Sequence, residues 1–320
     1  MSEVVAATIR LGASGVVVPN VGVGTWEWGD RALWGYGTGH GPSEVVDAFL
    51  GALEGRARFF DTAEVYGHGT SEQSLGWMAA RVEEPLVLAT KFAPLRGRGG
   101  CRAVDGALRA SLARLRRTRV DLYQVHWADR DEFVIEALME VLAGTVRDGR
   151  VGLVGVSNFS ASESLLADDA LRARGLSLTS NQVHYSLLHR APERDGTLAA
   201  CRERGATLIA YSPLEQGILT GRYAPDARPW GPRAGSPLFE AGAWPHVRRV
   251  LDAMREVAEA HGGRPLAQVA VNWLRAKEGV LPIVGVKNGP QAREAMGSLE
   301  WSLTAEERAR LDAASDYFAK

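Results

Sequence analysis

Short apolar runs alternate with stretches of helical periodicity along the whole chain. Runs that predict strands begin near Val21, Phe59, Leu86, Val120, Val151, Ser177, Ala206 and Val280. The first seven starts lie 26–38 residues apart, the length of one strand, one helix and two short loops. In between, Val45, Phe49 and Leu53 recur every fourth residue, and Leu75, Met78, Ala79 and Val82 follow the i, i+3, i+4, i+7 pattern. Val104, Leu108, Leu112 and Leu115 make a third apolar stripe, and Val134, Leu138, Val141 and Leu142 a fourth. Thr70 with Gln73, Ser160 with Glu163, and Thr304 with Glu307 have the spacing of capping boxes. Gly149, Gly175 and Gly205 sit where helices should end.

Strands that alternate with helices pair in parallel, because the helix is the crossover. Eight such units predict an α/β fold: a closed (β/α)8 TIM barrel, one domain over residues 1–320. The open doubly wound sheet is the competitor. Against it, Gly22-Val23-Gly24 lacks the third glycine of a dinucleotide-binding turn and leads into a Trp- and Gly-rich loop, not a helix. Thr8–Leu11 and Val16–Val18, on either side of Gly12–Gly15, predict an N-terminal β-hairpin plugging the barrel floor. Two stretches break the rhythm. Trp28–Gly41 is rich in Trp, Tyr and Gly, and Arg222–Pro245 carries Pro225, Pro229, Pro232, Pro237 and Pro245. Both follow strands, so both are expected as long loops on the C-terminal face, where barrel active sites lie.

Composition narrows the function. The chain has 320 residues, 46% hydrophobic and 23% charged, with 37 basic and 38 acidic side chains. Such balance speaks against a nucleic-acid partner, whose binding rests on many phosphate contacts. No apolar run approaches the roughly 20 residues that span a bilayer, so no membrane partner is expected. Met1–Ala7 lacks the basic-then-apolar pattern of a leader. Cys101 and Cys201 read as free thiols, which suits the cytoplasm and excludes a Cys-rich metal site; no metal is expected. A homo-oligomer is compatible with all of this. Of the 37 basic residues only Lys91, Lys277, Lys287 and Lys320 are lysines. Lysine can lose its proton where arginine cannot, which singles these four out.

Chemistry gathers at three consecutive strand ends: Phe59-Phe60-Asp61 with Tyr66 beyond it, Ala89-Thr90-Lys91, and Gln124-Val125-His126. Side chains alternate along a strand, so if Phe60 and Leu88 pack outward, Asp61 and Lys91 point into the barrel mouth. Buried charges are costly unless paired, and adjacent strands make these two partners. A Lys ammonium beside the Tyr66 phenol is expected to favour phenolate, lowering a pKa of about 10. Asp61 would orient Lys91, and His126 would position a substrate oxygen. The expected product is a proton donor beside a polarised carbonyl.

A second group fits a cofactor. Ser157-Asn158 and Asn181-Gln182 end strands five and six with groups suited to a carboxamide. Tyr211 offers a ring to stack, and Ser212-Pro213-Leu214 leads into the Gly-spaced segment Glu215–Gly221. Lys287, before a helix start at Pro290, suits a ribose phosphate, which favours NADP(H) over NAD(H).

These residues resemble the aldo-keto reductase family from about Gly12 to Ser315. The carriers are Phe60-Asp61-Thr62-Ala63 with Tyr66-Gly67, Thr90-Lys91, Gln124-Val125-His126, Gly155-Val156-Ser157-Asn158, Asn181-Gln182, Tyr211-Ser212-Pro213-Leu214 with Gly217 and Leu219, and Lys287 with Gln291 and Glu294. The resemblance implies an NAD(P)H-dependent carbonyl reductase with a catalytic tetrad at Asp61, Tyr66, Lys91 and His126. It places carboxamide contacts at Ser157, Asn158 and Gln182 and the stacking ring at Tyr211. The cofactor site then takes in Gly24, Thr25 and Trp26 at the first strand end, and Ser212, Pro213, Leu214, Gln216, Gly217 and Leu219 after the seventh. After the eighth it takes in Gly285, Val286, Lys287, Asn288, Gln291 and Glu294. The family often carries Asn after that Glu, where this chain has Ala295. It often has Ile-Pro-Gly-Ala where this chain has Ile283-Val284-Gly285-Val286. Trp26, Trp28, Trp34, Tyr36 and Trp127 are expected to wall a pocket for a bulky small-molecule carbonyl substrate.

The expected reaction moves hydride from nicotinamide C4 to the carbonyl carbon, with the proton from Tyr66. A cofactor-binding sensor subunit with little turnover, like the potassium-channel β-subunits that share the tetrad, is the alternative. A barrel isomerase or lyase without nicotinamide is a third reading.

Overall fold

The computed structural model describes residues 7–129 and 132–319; Met1–Ala6 of the N-terminal stretch, and Lys320, lie outside them. Strands β1 (Thr8–Arg10) and β2 (Val17–Pro19) form an antiparallel hairpin with Ile9 opposite Val18. The Gly12 amide donates to Thr207 Oγ1 at 2.8 Å. Leu11 and Val18 pack on Phe59, Ala89, Leu122, Ile209, Leu281 and Ile283 inside the barrel, so the hairpin seals its N-terminal end.

Eight parallel strands close the barrel: β3 (Gly22–Gly24), β4 (Phe59–Asp61), β5 (Val87–Phe92), β6 (Val120–Val125), β7 (Val151–Ser157), β8 (Ser180–His184), β9 (Thr207–Tyr211) and β10 (Val280–Gly285). They follow one another in chain order, and β10 pairs with β3 to complete the ring. The eighth expected run starts where predicted, and the sixth begins at Ser180, three residues after Ser177.

The helices form the outer layer. They are α1 (Pro42–Glu54), α2 (Thr70–Ala79), α3 (Ala103–Leu115), α4 (Ile135–Arg147), α5 (Ala161–Arg172), α6 (Ala191–Arg194), α7 (Thr197–Arg204), α8 (Trp244–Ala260), α9 (Leu266–Arg275), α10 (Gly289–Met296) and α11 (Ala305–Ala314). Phe60, Leu88 and Tyr123 face this layer, whereas Phe59, Ala89 and Leu122 fill the barrel. The period of two therefore sends Asp61, Lys91 and Gln124 inward at the mouth.

The capping boxes at Ser160/Glu163 and Thr304/Glu307 are formed, each with the Glu carboxylate accepting from the cap amide at 2.8 Å. The one expected at Thr70 is not. A 3₁₀ turn over Tyr66–Gly69 runs directly into α2, so Thr70 is already helical and Gly69, at φ 89°, precedes it. Two helices rather than one occupy each of the last two crossovers, α6 with α7 and α8 with α9.

Both long loops lie at the C-terminal face, where they meet. The Arg233 guanidinium stacks over the Trp34 ring at 4.9 Å and donates to the Gln216 carbonyl at 3.1 Å. Pro245, expected in the irregular stretch, sits in the first turn of α8, where its missing N–H costs nothing. Among the described residues, no helix is long and apolar enough to cross a membrane.

Candidate active site

The barrel mouth holds a cation and an anion with almost no exposure. Lys91 Nζ pairs with Asp61 Oδ1 and also donates to the Thr62 carbonyl at 3.0 Å. The other carboxylate oxygen, Oδ2, accepts from Gln124 Nε2 at 3.0 Å and from Gln182 Nε2 at 2.8 Å. Strands β4, β5, β6 and β8 thus converge on one carboxylate. The third donation of Lys91 goes to Tyr66 OH at 3.2 Å.

Tyr66 reaches this point because its turn is forced. Gly67 has φ 55°, and a Cβ there would lie 2.5 Å from the Gly29 backbone, so only glycine fits. The Tyr66 ring stacks on Trp26 with centroids 5.8 Å apart, and His126 meets it edge-on at 5.7 Å. Phenol, imidazole and ammonium converge on one space.

Burial governs their protonation. It pushes the Tyr66 phenol well above its ordinary range, with Asp61 and Glu27 adding to the effect. The expectation of a phenol drawn toward phenolate is therefore overturned: desolvation decides, and the nearby carboxylates push the same way. Lys91 itself is lowered, by burial first. His126 falls to about 3, from burial and then from Lys91, so its ring is neutral. Its Nδ1 is buried and has no hydrogen-bond partner among the described residues.

At the neighbouring strand ends, Ser157 Oγ donates to the Gln182 carbonyl at 2.8 Å. Asn158, at φ 56°, donates from Nδ2 to the His126 carbonyl at 3.0 Å and accepts at Oδ1 from Tyr211 OH at 2.9 Å. A polar chain Tyr211–Asn158–His126 therefore crosses the mouth. The second Nδ2 hydrogen goes to Ser157 Oγ at 3.1 Å, so Asn158 keeps one Oδ1 lone pair for a ligand. Lys287 Nζ donates to the Trp34 carbonyl at 2.7 Å, and its backbone amide donates to Gln291 Oε1 at 2.9 Å.

A cavity of about 620 Å³ joins these groups. It is lined by Gly24, Thr25, Trp26, Trp34, Asp61, Tyr66, His126, Trp127, Ser157, Asn158, Gln182 and Tyr211. It continues past Ser212, Pro213, Leu214, Gln216 and Gly217 to Gly285, Val286, Lys287, Gln291 and Glu294. Lys91 stays behind the Tyr66 phenol and does not line the cavity, and four further expected residues sit elsewhere. Trp28 is fully buried against Phe49 and Phe60, with Nε1 donating to the Val286 carbonyl at 2.8 Å. Tyr36 packs beside the outer core, edge-on to His40. Leu219 is buried in the core around α8 and α9. Asn288 caps α10 by accepting from the Gln291 amide at 3.0 Å. In each case apolar area or a backbone hydrogen bond outweighs a place at the cavity wall. Conversely, Glu27 and Arg233 line the cavity unforeseen, since nothing in their loops marks them. Gln124 was legible only as part of the strand end Gln124-Val125-His126.

The family model for the aldo/keto reductase family matches residues 20–316. The chain is 36% identical over 310 residues to a chloroplastic pyridoxal reductase of Arabidopsis thaliana, covering 93% of this chain and 83% of that one. It is 32% identical over 262 residues to the NADP(+) aldo-keto reductase yakc of Schizosaccharomyces pombe, covering 77% and 75%. A solved glycerol dehydrogenase from Gluconobacter oxydans superposes with a TM-score of 0.84 at 27% identity, covering 98% and 96%. The chain belongs to the aldo/keto reductase family, a family of oxidoreductases on this barrel.

The neutral His126 ring has a consequence for stability. In the unfolded chain the ring titrates near about 6.5. Below that pH the unfolded state binds more protons, so this contribution is intact above about 6.5 and is lost as pH falls toward 3. Between pH 7 and pH 4, His126→Gln is expected to lose less stability than the wild type, by on the order of 1–3 kcal/mol in urea titrations. Parallel losses in the two proteins would contradict a ring held neutral by the fold.

Proposed function

We propose that the protein reduces an aldehyde or ketone to the alcohol, with NADPH as the preferred reductant. The observation that carries this reading is the Lys91 ammonium 3.2 Å from the Tyr66 phenol, with Asp61 behind it and His126 alongside. Bound in this cavity, the dinucleotide supplies a hydride for the carbonyl carbon and leaves oxidised. The residues present fit it. Tyr211 has a ring for the nicotinamide face, Ser157 and Asn158 have valences for the carboxamide, and Lys287 and Arg233 supply cations for phosphates.

The protein's own groups do the rest. His126, neutral and on the cavity wall, donates a hydrogen bond to the carbonyl oxygen from its N–H and fixes its position. Tyr66 is held as the neutral phenol, the form that can give a proton. As negative charge builds on the carbonyl oxygen, the phenol proton passes to it, and Lys91 stabilises the oxygen left behind. Asp61 keeps the ammonium aimed. Trp26, Trp34 and Trp127 with Val65 form an apolar aromatic wall near this oxygen. That wall, with the likeness to a pyridoxal reductase, supports a planar aromatic aldehyde as substrate. We place the protein in the cytoplasm on its two unpaired cysteines.

Tyr66→Phe is expected to bind NADPH as the wild type does and to lose about 10²–10⁴-fold in turnover on aromatic aldehydes. Turnover near wild type would remove Tyr66 from the acid role. Lys287→Ala is expected to weaken NADPH by about tenfold or more in fluorescence titrations and NADH much less. Equal losses for both would show that Lys287 does not meet the 2′-phosphate.

A further inference from the structure

A buried carboxylate with no part in proton transfer stands in the same cavity. Glu27 is only 6% exposed and lines the wall. Its carboxylate lies directly on the Gly285 backbone, where any Cβ would collide with it. Gly285 leads through Val286 to Lys287, the cation read above as meeting a phosphate of the dinucleotide.

The charged and titratable groups facing Glu27 come from every element packed around it. Lys287 beyond β10 and Arg233 of the Pro-rich loop are the cations, and Asp30 of its own loop is an anion. Tyr66 lies within its field. The His40 ring donates from Nε2 to the Glu27 carbonyl at 2.7 Å, and burial lowers its pKa. Among the described residues, no ion pair closes on the Glu27 carboxylate. Lys287 Nζ is engaged by the Trp34 carbonyl and Arg233 Nη1 by the Gln216 carbonyl. The carboxylate thus lies on the cavity wall against Gly285 without a cation of its own.

Two like charges a few Å apart in a poorly solvated site repel strongly. A neutral carboxyl there is instead a hydrogen-bond donor to a phosphate oxygen. We propose that Glu27 takes up a proton as the diphosphate of the dinucleotide enters beside Gly285, making cofactor binding proton-linked. This inference rests on the cofactor reading given above.

The ionisation of Glu27 supports it. Burial raises the carboxyl to about 7 in spite of Lys287 and Arg233, so both forms are populated near neutrality in the free protein. A bound anion raises it further. The complex therefore holds more protons than the free protein, and affinity falls as pH rises above about 7.

The test is calorimetric titration of the full chain with NADH and NADPH, in two buffers of different ionisation enthalpy, at pH 6 and pH 8. NADH is the cleaner probe, since the 2′-phosphate of NADPH itself titrates near about 6. At pH 8 the wild type is expected to take up roughly 0.5–1 proton per dinucleotide, and at pH 6 less than about 0.2. In Glu27→Gln the uptake at pH 8 disappears, and NADH affinity there rises about 3–10-fold. Glu27→Gln also separates Glu27 from Lys287, whose lowered pKa is another route to uptake at alkaline pH. Binding at pH 8 without uptake, or uptake unchanged in Glu27→Gln, overturns the proposal while leaving the cofactor reading intact. Failure of both dinucleotides to bind the wild type at pH 6 overturns both. If Glu27→Gln does not fold, the NADH titration of Lys287→Ala at pH 8 decides: uptake that persists without the lysine supports Glu27, and uptake lost with it overturns the proposal.

Discussion

The structure of the mouth depends on one buried ion pair. Asp61 and Lys91 lie at the ends of adjacent strands with essentially no exposure. Neither charge is tolerable there alone, because removing a partner from such a pair costs about 3–5 kcal/mol. The pair is completed by two glutamine amides on Asp61 and a carbonyl on Lys91. Four strands are thereby held in one register, and the remaining lysine proton has a single direction left, toward Tyr66. The reacting groups are ordered by the need to satisfy a carboxylate, so the same contacts serve folding and chemistry.

That arrangement also explains why the phenol is not acidic in the free protein. The carboxylates of Asp61 and Glu27 oppose phenolate, and Trp26 is stacked on the Tyr66 ring, which loses solvation. The neutral phenol is the form that a carbonyl-reducing site requires before proton transfer. The lysine acts on the charge that appears during transfer, not on the resting state. Around this centre, Arg233 and Lys287 tie the two long loops to the barrel end through Trp34. The walls of the cavity are therefore set by the loops, and its floor by the strands.

What could be read in the chain follows the same division. Strand alternation depends on a backbone period of two, so Asp61 and Lys91 could be placed on the inner face from Phe60 and Leu88 alone. The scarcity of lysine marked Lys91 and Lys287. Loop residues obey no such period. Trp28 and Trp26 are two residues apart in an aromatic stretch, yet one is core and one lines the cavity, which only the path of the turn past Gly29 and Gly67 decides. Leu219 and Asn288 went to core and cap because local packing and an open helix terminus claimed them. Thr70 lost its capping role to a 3₁₀ turn that the capping spacing does not encode. Glu27 carried no signal at all, because its setting is made by Gly285, far away in sequence.

The central claim is that Asp61 and Lys91 act as one unit. A double-mutant cycle on unfolding free energy, with Asp61→Asn, Lys91→Met and the pair combined, measures this directly. Each single change should cost about 3–5 kcal/mol by stranding a buried charge, and the double variant should be more stable than the sum of the two predicts by at least about 2 kcal/mol. Losses that simply add would show that the two side chains do not depend on each other, and the account of the mouth would fail.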